Sequence, residues 1–225
     1  MKALLYKEFK LAMHPICYIF IFIFPFMILI PSYPLGVGFI YVLSCYPILF
    51  LGANKGQQSN DLLFSTLLPV RKKDIVKARI ITVMILQFAY IVIMSLLLPL
   101  ARGIENSIHE LEATPGLGLN GYVSVIGIAL IGFALADLVF FPIYYKKGKS
   151  IVMSTLFTII SFIFYLGIFT IALTYIPGFE GYSDFLCNSG LGNQFIVLGG
   201  ALIIYTLVHL LVYKISAKLL EKVDF

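Results

Sequence analysis

Charge is scarce in this chain: only 12% of its 225 residues are Asp, Glu, Lys or Arg, against 60% that are hydrophobic. The mean hydropathy is +1.00. No soluble domain of this length has interior enough to hide so much apolar surface. Tryptophan is absent, so tyrosine supplies any aromatic belt at a membrane interface. Cysteine is limited to Cys17, Cys45 and Cys187. That odd, scattered set implies no disulfide framework, and no pair has metal-ligand spacing. No Gly-rich loop ending in Gly-Lys-Ser/Thr occurs, so the chain does not hydrolyse nucleotide by that route. No small-residue cleavage pattern follows the first apolar run, which therefore reads as a retained span.

What is present is a series of apolar runs with charges clustered between them. Six are read: Ile16–Ile30, Leu35–Ala53, Ile80–Ala101, Tyr122–Tyr145, Ile151–Ile176 and Phe195–Tyr213. A helix needs about 20 apolar residues to cross a hydrocarbon core of about 30 Å. The first run is short, lies between Pro15 and Pro31 and contains Pro25, so it is expected to kink or to borrow from its flanks. An even number of spans puts both termini on one side. That side then holds fifteen of the sixteen Lys and Arg residues, and the other side holds only Arg102 among Glu105, Glu110, Glu112, Glu180 and Asp184. By the positive-inside rule the basic side is cytoplasmic, in a multi-pass protein of the cell membrane. The net charge of +5 is thus the sum of two unlike faces and not a nucleic-acid signal. The fold class read here is an all-α integral membrane protein of six transmembrane helices, a single domain over residues 1–225 without a nucleotide-binding domain.

Outside the spans, Leu5, Phe9 and Ala12 recur at helical spacing, while Lys7, Lys10 and His14 line another face. This predicts a helix lying in the headgroups before the chain turns at Pro15. The stretch Asn54–Arg79 opens polar, then turns apolar at Leu62, Leu63, Phe64, Leu67 and Leu68. Asn60 or Asp61 caps a short helix there and Pro69 ends it. Such a helix is too short to span; it lies on the membrane or presses into a partner protein. Gly116–Gly121 has the G-x-G-x-x-G spacing, but no strand precedes it and no crossover unit surrounds it, so it reads as a loop. Pro177–Gln194 is rich in Gly and aromatics, and a short re-entrant piece is one reading of it.

Asp137 is the only acidic residue inside a predicted span, nine residues before Lys146. At about 1.5 Å per residue it lies roughly 14 Å deep. A lone carboxylate there must face protein or water. Two readings stand open. It lines a translocation path or moves protons, or it is a structural partner of Ser, Thr or Tyr on another span or of a Lys reaching up from the interface. Phe162 and Tyr165 in the aromatic fifth run carry the same pair of readings, path or packing. Gly199 and Gly200 would allow close helix approach. His209 has no acid or Cys at helical spacing, and neither a metal site nor a catalytic set is read anywhere.

The segment Leu67-Leu68-Pro69-Val70-Arg71-Lys72-Lys73-Asp74-Ile75-Val76-Lys77-Ala78-Arg79 resembles the cytoplasmic loop of ABC-2 type permeases. The opening Leu4-Leu5-Tyr6-Lys7-Glu8-Phe9 is similar to that family's Leu-x-Lys-Glu start. The run Phe141-Pro142-Ile143-Tyr144-Tyr145-Lys146-Lys147-Gly148-Lys149 is similar to its apolar-Pro-x-Tyr stretch. Span count, length and loop placement extend the resemblance over the whole chain. Among these permeases the chain looks most like the compact ones of Gram-positive exporters of amphipathic peptides, such as phenol-soluble modulins. Where the family often has a Glu before the leucine-rich stretch, this chain has Asp61 after Gln57-Gln58-Ser59-Asn60.

The resemblance implies a function. Asp61, Leu62, Leu63, Phe64, Leu67, Leu68, Pro69 and Arg71 would form a coupling helix between spans 2 and 3, seated in a cytoplasmic ABC ATPase subunit. Leu5, Lys7, Phe9 and Lys10 would lie on an elbow helix. ATP and Mg would be bound by the ATPase, with no cofactor in this chain, and a second permease copy would complete the transporter. Two other classes are weighed against it: an integral-membrane enzyme using Asp137 with Tyr144 or His209, and a membrane immunity protein that binds without transport.

Overall fold

The computed structural model describes residues 2–12, 15–29, 70–109, 123–147, 151–175 and 191–222. All the regular structure among them is helical. Helix α1 (Lys2–Lys7) runs into a wider π-helical turn, Glu8–Ala12. Helix α2 (Pro15–Ile23) follows and tightens into a 3₁₀ segment, Phe24–Leu29. Then come α3 (Lys72–His109), α4 (Val123–Lys147), α5 (Ile151–Tyr175) and α6 (Leu191–Glu221). The predicted second span, the segment Asp61–Pro69, Gly116–Gly121 and most of Pro177–Gln194 lie outside the described residues.

Helix α2 begins at a proline, whose missing N–H costs nothing in a first turn. The change of winding at Phe24 precedes Pro25, which cannot donate to the α-helical ladder, so the expected kink takes the form of a tighter coil. The Tyr18 hydroxyl donates to the Phe9 carbonyl at 2.9 Å and ties α2 back to the π-turn. Helix α3 opens where Asp74 and Ile75 amides donate to the Arg71 carbonyl at 2.8 and 3.4 Å. Asp74 in this first turn also faces the positive end of the helix dipole.

Three helices are long and apolar enough to cross a membrane: Lys72–Ala101 within α3, Val125–Lys146 within α4 and Gln194–Glu221 within α6. Helix α5 carries a shorter apolar stretch, Val152–Ile168. The predicted fourth and fifth spans coincide with α4 and α5 almost to the residue. The third and sixth are longer than predicted: α3 continues past Ala101 to His109, and α6 starts at Leu191 and runs to Glu221. Hydropathy ends where the bilayer ends, but Glu, Lys, Asn and Ser do not stop a helix once it reaches water. Pro99 and Pro142 sit within α3 and α4 near the ends of the apolar stretches, where the carbonyl each leaves unbonded is close to the interface.

Helix α4 is the hub. It packs most extensively on α6, then on α5, while α3 packs on α6 and on the 3₁₀ segment of α2. Glycines set the closest approaches. A Cβ on Gly127 would lie 3.4 Å from the Ala201 Cβ and from Val197, and one on Gly132 would come within 2.9 Å of the Phe162 ring. Gly199 and Gly200, the positions read from sequence as close-approach sites, have nothing described within 4 Å of such an atom. They sit on the outer side of α6 with Leu202, Ile203 and Leu207 exposed beside them, and the contact with α4 runs through Ala201 instead.

Side-chain contacts fix which helix ends lie together. Lys73 at the start of α3 pairs with Glu221 at the end of α6 at 3.1 Å. Arg79 reaches Glu8 of the N-terminal helix and the Tyr144 hydroxyl near the end of α4. At the opposite end the Val123 amide, opening α4, donates to the Gln194 side chain near the start of α6, at 3.1 Å. The N-terminus, the start of α3 and the ends of α4 and α6 therefore share one end, and that end carries the basic residues. This is the alternation the charge pattern predicts for these helices.

Candidate functional site

Two buried polar assemblies stand out, one inside the bundle and one at its basic end. The inner one is built on Asp137, which has no exposed surface. Helix α4 is enclosed by α5, α6 and α3, so a carboxylate there meets protein and not lipid. Asp137 Oδ2 accepts from Gln87 Nε2 of α3 at 2.8 Å and lies 2.8 Å from His209 Nε2 of α6. The Tyr205 hydroxyl, one turn before His209, donates to Gln87 Oε1. His209 Nδ1 lies 2.8 Å from the Tyr205 carbonyl, and the Tyr205 and His209 rings are in contact at 4.0 Å between centroids. Asp137 Oδ1 is buried without a hydrogen-bond partner among the described residues.

The partners of Asp137 differ from those expected. Gln87 and His209 hold it, where Ser, Thr, Tyr or Lys was the structural reading. His209 has no acid at helical spacing along its own helix, and its acid lies instead on α4. A search along one helix cannot find a partner 72 residues away on another. Asp137 has no exposed surface and His209 is only 3% exposed, so the pair joins α4 to α6 among the described residues. Among the described residues no group of three or more His, Cys, Asp or Glu stands ready for a metal ion.

Phe162 and Tyr165 of α5 pack on α4. Phe162 is buried against Gly132, and the Tyr165 hydroxyl donates to the Ile128 carbonyl at 3.0 Å. The rest of the aromatic run divides: Phe157 and Phe164 are exposed on the opposite side of α5, where lipid would lie.

The second assembly joins the N-terminal helix to the base of α3. Glu8 receives Arg79 through both carboxylate oxygens, from Nε at 2.9 Å and Nη2 at 3.2 Å, and Arg79 Nη1 reaches the Tyr144 hydroxyl at 3.3 Å. Arg79 and Glu8 are 3% and 4% exposed. Lys7 Nζ comes within 3.7 Å of the same carboxylate. The sequence put Lys7 on the polar face of a lying helix. It is buried instead, because Glu8 turns inward toward Arg79 and draws Lys7 with it. Leu5 and Phe9 are half-buried as the apolar face requires, and Lys10 is exposed, its ammonium on the Tyr6 hydroxyl at 2.6 Å. Tyr144, quoted above for its place in the apolar-Pro-x-Tyr stretch, stacks on Phe140 and stands edge-on to Tyr145.

Of the coupling residues, only Arg71 falls within the described part. Its side chain is exposed and its carbonyl caps α3. Gln87 and Tyr205 were not singled out by sequence reasoning, and Glu8 and Arg79 entered it only within the motifs that carry the family resemblance. A neutral amide in an apolar run and one acid in a basic flank carry no signal by themselves; only the contacts between distant segments reveal them.

No curated protein and no solved structure matches the chain. A family model described as ABC-2 family transporter protein matches residues 3–221. With nearly the whole chain inside that match, and with helices long enough to span a bilayer, the chain belongs to the ABC-2 transporter family and is a membrane permease of an ABC transporter.

Proposed function

We propose that this permease works as an exporter of amphipathic peptides, driven by ATP that a separate cytoplasmic ABC ATPase binds with Mg and hydrolyses. The basic end of the bundle is the cytoplasmic one, with both termini there. Asp61–Val70 is the segment that seats in the ATPase, the N-terminal helix is the elbow beside it, and a second permease copy completes the assembly. The substrate class follows from the likeness to peptide exporters.

The observation that carries the coupling is the joint at the base of α3. Helix α3 starts at Lys72, immediately after the Leu-Pro-Val sequence, so a push on that segment is delivered along α3. One turn further in than Ile75, Arg79 is locked to Glu8 by two charge-assisted hydrogen bonds, so the N-terminal helix moves with α3.

The test is to isolate the tagged chain from its native membrane in mild detergent and identify what accompanies it. A cytoplasmic ATPase at about one copy per permease, lost in Leu67→Asp, is expected from an apolar knob seated in a partner's groove. A chain that arrives alone overturns the exporter reading. An ATPase retained in full by Leu67→Asp overturns the assignment of the coupling segment.

A further inference from the structure

We propose that Asp137 and His209 form a proton-binding site inside the bundle, in which one proton on the line between Oδ2 and Nε2 keeps α3, α4 and α6 joined. The argument is one of counting donors. His209 Nδ1 lies 2.8 Å from the Tyr205 carbonyl. A carbonyl only accepts, so Nδ1 carries a hydrogen. Nε2 lies 2.8 Å from Asp137 Oδ2. Two bare lone pairs do not rest at that distance, so a proton lies between them. If it belongs to the ring, the pair is imidazolium and carboxylate. If it belongs to the acid, the pair is neutral imidazole and carboxylic acid. Both carry the same proton and the same net charge, zero. Gln87 Nε2 donates to Oδ2 in either case, and Tyr205, by donating to Oε1, fixes which end of the amide faces the acid.

Among the described residues no other charged side chain contacts the pair to replace that proton. Helix α5 has no charged side chain. On α4 the other charges are Lys146 and Lys147 at its end. On α6, Lys214, Lys218 and Glu221 follow His209 toward the basic end, and all three are exposed. On α3, Arg79 stands eight residues from Gln87, about two turns, and is held by Glu8 and Tyr144. Lys72, Lys73, Asp74 and Lys77 lie still nearer the start of α3, and Arg102 and Glu105 lie beyond its apolar part. The tyrosine in contact with the cluster is Tyr205 on α6, whose hydroxyl donates to Gln87 and does not neutralise a carboxylate. The apolar run 35–53 contains no Asp, Glu, Lys, Arg or His. Loss of a proton from the pair leaves one ring nitrogen bare, Nδ1 facing the Tyr205 carbonyl or Nε2 facing the carboxylate, and the joint between α4 and α6 loosens as pH rises.

Histidine occurs three times, so His14→Gln with His109→Gln leaves His209 as the sole imidazole. Nitrogen NMR of the ¹⁵N-histidine-labelled protein in micelles then reads its two ring nitrogens directly. At neutral pH the expected spectrum has a protonated Nδ1 and an Nε2 in a strong hydrogen bond. Toward alkaline pH one step is expected, in which one ring nitrogen loses its hydrogen, and that step moves to lower pH in Asp137→Asn, which keeps the size of the side chain. Thermal unfolding followed over the same range is expected to show the melting temperature falling across that step in the parent and staying flat in Asp137→Asn with His209→Gln. A free Nε2 already at neutral pH, in the protein that keeps Asp137 and His209, overturns the proposal. So does a step that Asp137→Asn leaves in place.

Discussion

At the scale of single residues, the inner cluster is ordered by what each side chain leaves behind when removed. Gln87 serves two buried groups at once, so Gln87→Leu takes the acceptor from the Tyr205 hydroxyl and leaves Asp137 with His209 alone. Each buried polar group left unpaired costs ~1–3 kcal/mol. Tyr205→Phe removes one hydroxyl and one hydrogen bond, worth about 0.5–1.5 kcal/mol. The expected order of melting temperatures in detergent is parent, then Tyr205→Phe, then Gln87→Leu; the reverse order for the two variants would count against the contacts described. Asp137 was legible in the sequence because one acid in an apolar run violates the composition around it. Its partners were not. Gln87 lies 50 residues before it and His209 lies 72 after it, and no periodicity links residues on separate helices. Neutral polar side chains are also common enough in spans to raise no alarm. Asp61 to Leu68, the residues chosen for an ATPase groove, lie outside the described part and keep the standing of a reading from sequence.

At the scale of elements, two close fits carry the packing. Gly132 is the floor on which Phe162 rests. Gly132→Leu forces that buried ring aside and is expected to lower stability by about 1–3 kcal/mol, as overpacking does. Gly199→Leu, on the outer side of α6, is expected to change stability little. Thermal unfolding of the two variants side by side checks both, and equal losses would deny α4 and α5 their contact at Gly132. The fastening of α1 to α3 responds differently. Arg79→Ala leaves Glu8 buried beside Lys7 alone, and loss of one partner of a buried pair costs about 3–5 kcal/mol. Glu8→Leu with Arg79→Met removes both charges and is expected to cost less than the sum of the single changes, which a double-mutant cycle measures. Losses that simply add would show that the two side chains do not act as a unit. Helix position was well legible at this scale, because apolar run length is a strong signal. Helix ends were not, since the run ends at the bilayer boundary and the helix does not. Close-approach glycines were legible only in part, since Gly127 and Gly132 are the ones that meet a described neighbour: a small residue in a sequence says where two helices are able to meet, and only the facing side chain says where they do.

For the whole molecule, the charge pattern and the contacts between helix ends agree on an alternating arrangement of α3, α4, α5 and α6. The arrangement predicts sidedness. With Cys17, Cys45 and Cys187 replaced by alanine, a cysteine at Lys73 or Lys218 is expected to resist a membrane-impermeant thiol reagent on whole cells, and one at Ile104 to react. All three positions are exposed or flank exposed residues, so access is decided by the membrane alone. Reaction at all three from outside would break the topology. The junction between Asp137 and His209 also has a history in time. Ribosomes deliver α4 to the membrane well before α6, so the carboxylate is inserted first and waits for an imidazole 72 residues further along the chain. Until then it has only Gln87 of α3 beside it, the kind of half-met polar group that retains an unfinished protein near the insertion machinery. Arrival of α6 supplies the imidazole and closes the joint, so the same contact that holds the mature bundle also records that α3, α4 and α6 have met.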